Sequence, residues 1–167
     1  QANARASGKN PRMGVRYGAC FGGALLFNHA VYFYLGAAEV KISLIAVGKL
    51  KEDYWKKAIA DYEKRLKPFC DFEITEITEG KSLKEEAQNI KKKLKGCVIV
   101  FDIHGHMTTS EEFAEIFSLN MNRGVSAFSL VIGGSEGLDE ELKKAADYRI
   151  SFGKVTYPHR LMRVIAV

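Results

Sequence analysis

Val98-Ile-Val-Phe-Asp-Ile103 is the stretch on which the reading of the fold turns. It is an apolar run rich in β-branched residues, set between Gly96 and Gly105. A run this short, bounded by turn residues, is a strand; one without polar alternation is covered on both faces, as in the middle of a parallel sheet. Two other runs share that character. Val40-Lys-Ile-Ser-Leu-Ile-Ala-Val47 ends at Gly48, and Phe128-Ser-Leu-Val-Ile132 runs into Gly133-Gly134. Phe72-Glu-Ile-Thr-Glu-Ile77 alternates instead, which predicts a strand with one wet face, and Tyr148 to Phe152 reads as the last strand.

The segments between strands carry helical spacing. Tyr54, Trp55, Ala58, Ile59, Tyr62 and Leu66 define one helix within 51–67, and Pro68 stops it. Ser82 with Glu85 is a capping-box signature for a very basic helix reaching Leu94; Thr109 with Glu112 is another, for a helix through Phe113, Ile116, Phe117 and Met121. Asp139 caps a helix over 140–146, and Pro158 starts a final one. Repeated strand–helix alternation predicts an α/β fold, a parallel sheet covered by helices on both faces. Ligands of such sheets bind beyond the carboxyl ends of the strands.

Composition narrows the class. With 167 residues, 47% hydrophobic and 27% charged, the chain has material for a real core, which excludes a disordered, collagenous or disulfide-scaffold protein. Cys20, Cys70 and Cys97 are odd in number and show no CxxC spacing, so neither a zinc site nor a disulfide framework is implied. A reducing, cytoplasmic setting suits them. A net charge of +5 permits a polyanionic partner without demanding one. GxGxxG, Walker A, HExxH and GxSxG are all absent, which disfavours the commoner dinucleotide, phosphate, zinc and hydrolase readings.

Residues 1–39 have a different grammar from 40–167. Ala19 to Ala38 is uncharged and follows a basic, Gly-rich lead-in. Three readings stay open for it: an appendage of unknown role, a membrane anchor or signal, or a packed element.

Three strand ends carry candidate chemistry: Phe101-Asp-Ile-His-Gly105, Ile132-Gly-Gly-Ser-Glu-Gly-Leu138, and Ser151-Phe-Gly-Lys-Val-Thr-Tyr-Pro-His-Arg160 followed by Arg163. Glycines let a backbone turn sharply and approach a ligand. His104 and His106 flank a glycine but lack a third partner at metal spacing, so a solvated loop is the expectation and no metal is called for. From Arg149 onward the chain holds Arg149, Lys154, Arg160 and Arg163 and no acid, a concentration that suggests an RNA-phosphate surface.

In this order, the segments make residues 40–167 resemble the ribosomal RNA large-subunit methyltransferase H family, a small member of the SPOUT class. The matching residues are Ile45-Ala-Val-Gly-Lys-Leu50, Asp102-Ile-His-Gly105, Thr109-Ser-Glu-Glu-Phe-Ala114, Val131-Ile-Gly-Gly-Ser-Glu-Gly-Leu138, and Ser151 through Arg163 with its Thr156-Tyr-Pro-His159. The resemblance implies an α/β trefoil knot, a homodimer, and S-adenosylmethionine (S-adenosyl-L-methionine) as cofactor. The implied reaction is N3 methylation of a pseudouridine in large-subunit ribosomal RNA on the assembled ribosome. The alternative is an impaired RNA- or ribosome-binding relic that keeps the cofactor pocket. The implied cofactor contacts are Phe101, Gly133, Phe152, Gly153, Lys154, Val155, Thr156 and Tyr157. His159 and Arg163 are the implied catalytic pair, with His159 as general base or relay and Arg163 holding phosphate or developing charge. Two departures accompany the match. Gly153 stands where the family usually has serine, and the family continues past Arg163 with a Glu-Gln-x-Tyr-Arg-Ala helix where this sequence stops at Val167. A weaker dimer and an incomplete knot are the expectation from the second.

Overall fold

The computed structural model describes residues 40–167. The 1–39 extension, with its apolar run, lies outside the described residues. Five strands form one sheet in the order β2-β1-β4-β3-β5, every neighbouring pair parallel. They are β1 (Lys41–Val47), β2 (Asp71–Ile77), β3 (Cys97–Met107), β4 (Ala127–Ile132) and β5 (Tyr148–Ser151), joined through α1 (Asp53–Leu66), α2 (Leu83–Lys91), α3 (Ser110–Met121) and α4 (Glu140–Ala145), with α5 (His159–Ala166) last.

The runs without alternation are the inner strands. β1 is buried from Ile42 through Val47, and β4 from Phe128 through Ile132. Alternate residues of each serve two cores. On one face Leu44, Ile99, Phe128 and Leu130 pack with Ile116 and Phe117 of α3, Leu66 of α1 and Met162 of α5. On the other, Ile45, Val47, Val100 and Val131 meet Ala87 and Ile90 of α2 and Leu142 of α4. β2, the alternating strand, lies at the edge with one wet face, as its pattern predicts. Among the described residues no helix is long and apolar enough to cross a membrane.

Helix ends follow local chemistry. Thr109 and Glu112 make a complete reciprocal capping box on α3. Ser82 makes only its own half: its hydroxyl accepts from the Glu85 N–H, while the Glu85 carboxylate turns back to the Lys81 N–H. α2 also stops at Lys91, short of Leu94, because the chain turns toward β3 through Lys92 and Gly96.

β3 departs most from expectation. It continues past the loop at His104-Gly105 as far as Met107. Phe101 and His106 both stand opposite Ile150 of β5, so residues 102–105 are an excursion from the strand. Gly105 makes this possible, since a Cβ there would lie 2.7 Å from the Ile150 carbonyl carbon and 2.8 Å from the Arg149 oxygen.

Candidate functional site

The carboxyl ends of β3, β4 and β5 enclose a cavity of about 670 Å³. Three segments wall it, and they are the three strand ends singled out in the sequence: 101–104, 132–138 and 150–159 without Lys154. Met162 of α5 and Lys143 of α4 complete the lining. The volume suits a small-molecule or cofactor site, which typically spans roughly 300–1,000 Å³ with mostly apolar walls and few polar groups. Here Phe101, Ile132, Leu138, Ile150 and Phe152 supply apolar wall, and the 133–137 and 153–157 loops supply backbone edges.

Of the expected cofactor contacts, Phe101, Gly133, Phe152, Gly153, Val155, Thr156 and Tyr157 all line the cavity. Lys154 does not, and is exposed. Phe152 is set by ring contacts, its centroid 5.2 Å from Phe101 and 5.5 Å from Phe113, edge-on to the latter. The Ser151 hydroxyl shapes the next turn by donating to the Gly153 carbonyl at 2.6 Å.

Gly133 has a reason of its own. A Cβ on it would sit 2.4 Å from the Gly137 oxygen and 3.0 Å from Leu138 Cγ. The missing side chain makes room for the chain's own turn, closed by the Gly137 N–H to Gly134 carbonyl bond at 3.1 Å.

The two expected catalytic residues part company. His159 lines the cavity at the first turn of α5. Burial pulls its pKa below the ordinary 6.5, and the Arg163 and Arg160 cations push the same way against Glu79 and Glu52. These effects favour the neutral imidazole. Arg163 is fully buried and lies outside the lining. Its Nη2 donates to the Val47 and Gly48 carbonyls at 2.6 and 3.0 Å, and its Nη1 to Glu76 at 3.2 Å. It clamps α5 to the end of β1, and its Nε is buried without a partner.

The expected RNA surface changes for the same reason. Arg149 donates through Nε and Nη2 to Asp102, both at 2.6 Å. Arg160 pairs with Glu52. Lys154 is the remaining member, exposed and with no ion pair among the described residues. The segment lacks acids in sequence but borrows them in space.

Sequence reasoning missed the polar hub at the cavity edge. Asp102 accepts from the His104 N–H, from Arg149, and from Lys143 at 3.4 Å, while Lys143 also reaches Glu140 at 2.7 Å. Burial pushes the Asp102 carboxyl up, but the His104 N–H and the two cations outweigh it and hold it below the usual range. Its motif position was a signal; nothing in the sequence marked Lys143. Among the described residues no group of three or more His, Cys, Asp or Glu is placed to hold a metal. His104 and His106 are exposed, but not in a plain loop: His104 lies in the excursion and His106 where β3 resumes opposite Ile150.

A family model described as "Predicted SPOUT methyltransferase" matches residues 40–167, the whole of the described chain.

Proposed function

We infer function from family and cavity together: the chain belongs to the SPOUT methyltransferase family, and we propose that it methylates N3 of a pseudouridine in large-subunit ribosomal RNA. The observation that carries the reading is the joining of three motif-bearing strand ends into one cofactor-sized cavity with His159 on its wall.

The residues present fit adenosylmethionine, the methyl donor usual in this family. Apolar side chains from Phe101, Ile132, Ile150 and Phe152 suit an adenosyl group, and the 133–137 and 153–157 backbones supply its hydrogen-bond partners. Bound there, the cofactor supplies a methyl group already activated on a sulfonium, which calls for no metal. His159 accepts the proton leaving the target nitrogen, a role its surroundings suit by favouring the neutral imidazole. Arg163 acts at one remove, fixing α5 so that His159 keeps its place on the wall.

The remaining parts of the proposal have separate supports. A second copy of the chain is the expected neighbour of Val155, Tyr157 and Ile165, three exposed apolar side chains beside the cavity and on α5. The trefoil knot rests on the family alone. A reducing, cytoplasmic setting is supported by Cys70 and Cys97, buried free thiols whose pKa burial pushes to about 11.

Methyl-labelled adenosylmethionine supplied with ribosomes that lack the modification tests the reading. Label on a pseudouridine of the large-subunit RNA is the expected result. Label on another base, or on protein, overturns the substrate.

A further inference from the structure

We propose that Lys91, Lys92, Lys93 and Lys95, at the amino-terminal end of the sheet opposite the cavity, form a docking surface for the phosphate backbone of RNA. Lys91-Lys-Lys-Leu-Lys95 closes α2 and leads into β3, so it sits at the amino ends of the strands, whereas the cavity sits at their carboxyl ends. Cys97 to Phe101 of β3 separates the two, roughly 13 Å at the rise of a strand.

All four lysines are exposed. No carboxylate lies within ion-pair distance of Lys91, Lys92 or Lys93 among the described residues, and Lys95 only grazes Glu73 at 4.0 Å. The acids of α2, Glu85 and Glu86, are at its other end and committed to the Lys81 and Gly80 N–H groups. Lys91 lies five and six residues beyond Glu86 and Glu85, roughly 7–9 Å along the helix axis and about one Debye length at physiological salt. Asp147, just before β5, accepts from the Val98 N–H at 2.8 Å. Helix-dipole compensation explains one cation in the last turn, which Lys91 provides. It does not explain Lys93 and Lys95, which lie past the helix.

The backbone of the segment is held firmly. The Ser129 hydroxyl of β4 accepts from the Lys95 N–H at 2.8 Å and donates to the Lys95 carbonyl at 2.9 Å. Four solvated ammonium groups on an anchored turn match the repeating point charges of a phosphodiester chain, and such contacts position without reading sequence. A structured RNA large enough to present its target base to the cavity has backbone to spare for this surface.

The inference rests on RNA being the substrate, and its test separates the two. The full chain carrying Lys91→Glu and Lys93→Glu, with Lys91→Gln and Lys93→Gln as a milder pair, is titrated with a fluorescent large-subunit RNA transcript over a range of KCl. Expected are a slope of log K on log salt smaller by about one unit per lost contact, RNA affinity lower by roughly tenfold for the reversal, and KM for RNA raised while kcat and cofactor affinity hold. A slope unchanged in a protein that still methylates RNA overturns the surface and leaves the substrate standing. A reduced slope in a protein that methylates no RNA keeps the surface and overturns the substrate. Binding to poly-L-glutamate that the reversal abolishes, beside an unaffected RNA slope, assigns the lysines to an acidic protein and overturns the proposal.

Discussion

Two cation-rich stretches of this chain look alike in sequence and differ in space. Arg149 to Arg163 has no acid of its own, yet three of its cations are matched by carboxylates 47, 108 and 87 residues away. Lys91 to Lys95 is also acid-free and stays almost unmatched. The side chains explain the difference. A guanidinium presents a planar fork that fits a carboxylate or a pair of carbonyls and is weakly hydrated, so the fold can bury it. An ammonium is a compact, strongly hydrated charge, and these four remain in water. Charge runs made of arginine are therefore read against the tertiary structure, while lysine runs are read more safely from sequence.

The sharpest way to break this contrast is at Arg163. Arg163→Met leaves Glu76 without its cation and two carbonyls without donors, which should cost about 3 kcal/mol of stability. Urea unfolding at pH 7 checks it, and a loss under 1 kcal/mol would mean the clamp is ornamental. Gly133→Ala comes next. The Cβ meets the Gly137 oxygen, so a loss of about 1–3 kcal/mol is expected, as for other overpacked sites. Calorimetry should show cofactor binding falling with it; lost binding at unchanged stability would assign Gly133 to direct ligand contact.

The histidine gives a smaller, pH-dependent effect. A depressed pKa in the fold means that the unfolded chain binds more protons just below pH 6.5. His159 therefore subtracts stability as pH falls through that window and is neutral in its effect above it. Arg160→Gln removes one cation and frees Glu52, and both changes raise the His159 pKa. An imidazole titration followed by NMR should move upward; a downward move would mean the arginines do not set it. Smallest of all, Lys91→Gln with Lys93→Gln should change stability by less than about 0.5 kcal/mol, because both are exposed and make no ion pair among the described residues. A larger change in thermal unfolding would show hidden partners and erase the contrast.

Much of this was legible. The unalternating runs of β1 and β4 read correctly as buried strands, and the alternating run of β2 as one with a wet face, because burial on two faces or one is written in the side-chain period. The Thr109–Glu112 box read correctly because it closes within one turn. What failed was long-range. Nothing local announces that Arg163 meets Glu76 or Arg149 meets Asp102, since those pairs exist only once the sheet has ordered its strands. The Ser82–Glu85 signature was half right because a nearer donor, the Lys81 N–H, won the carboxylate.

The excursion in β3 has a consequence for how such a site changes over time. Both of its ends are stitched opposite Ile150, so strand pairing resumes beyond it in a shifted register. Asp102, Ile103 and His104 therefore form a closed eyelet on a continuous thread. Because loop closure grows only slowly with length, residues can be exchanged or inserted in the eyelet without unzipping the strand on either side. Ile103 and His104 are thereby the cavity-facing positions least tied to the sheet, since Asp102 is held by Arg149 of β5 and Lys143 of α4, which makes those two the natural place to graft a new specificity onto an old frame.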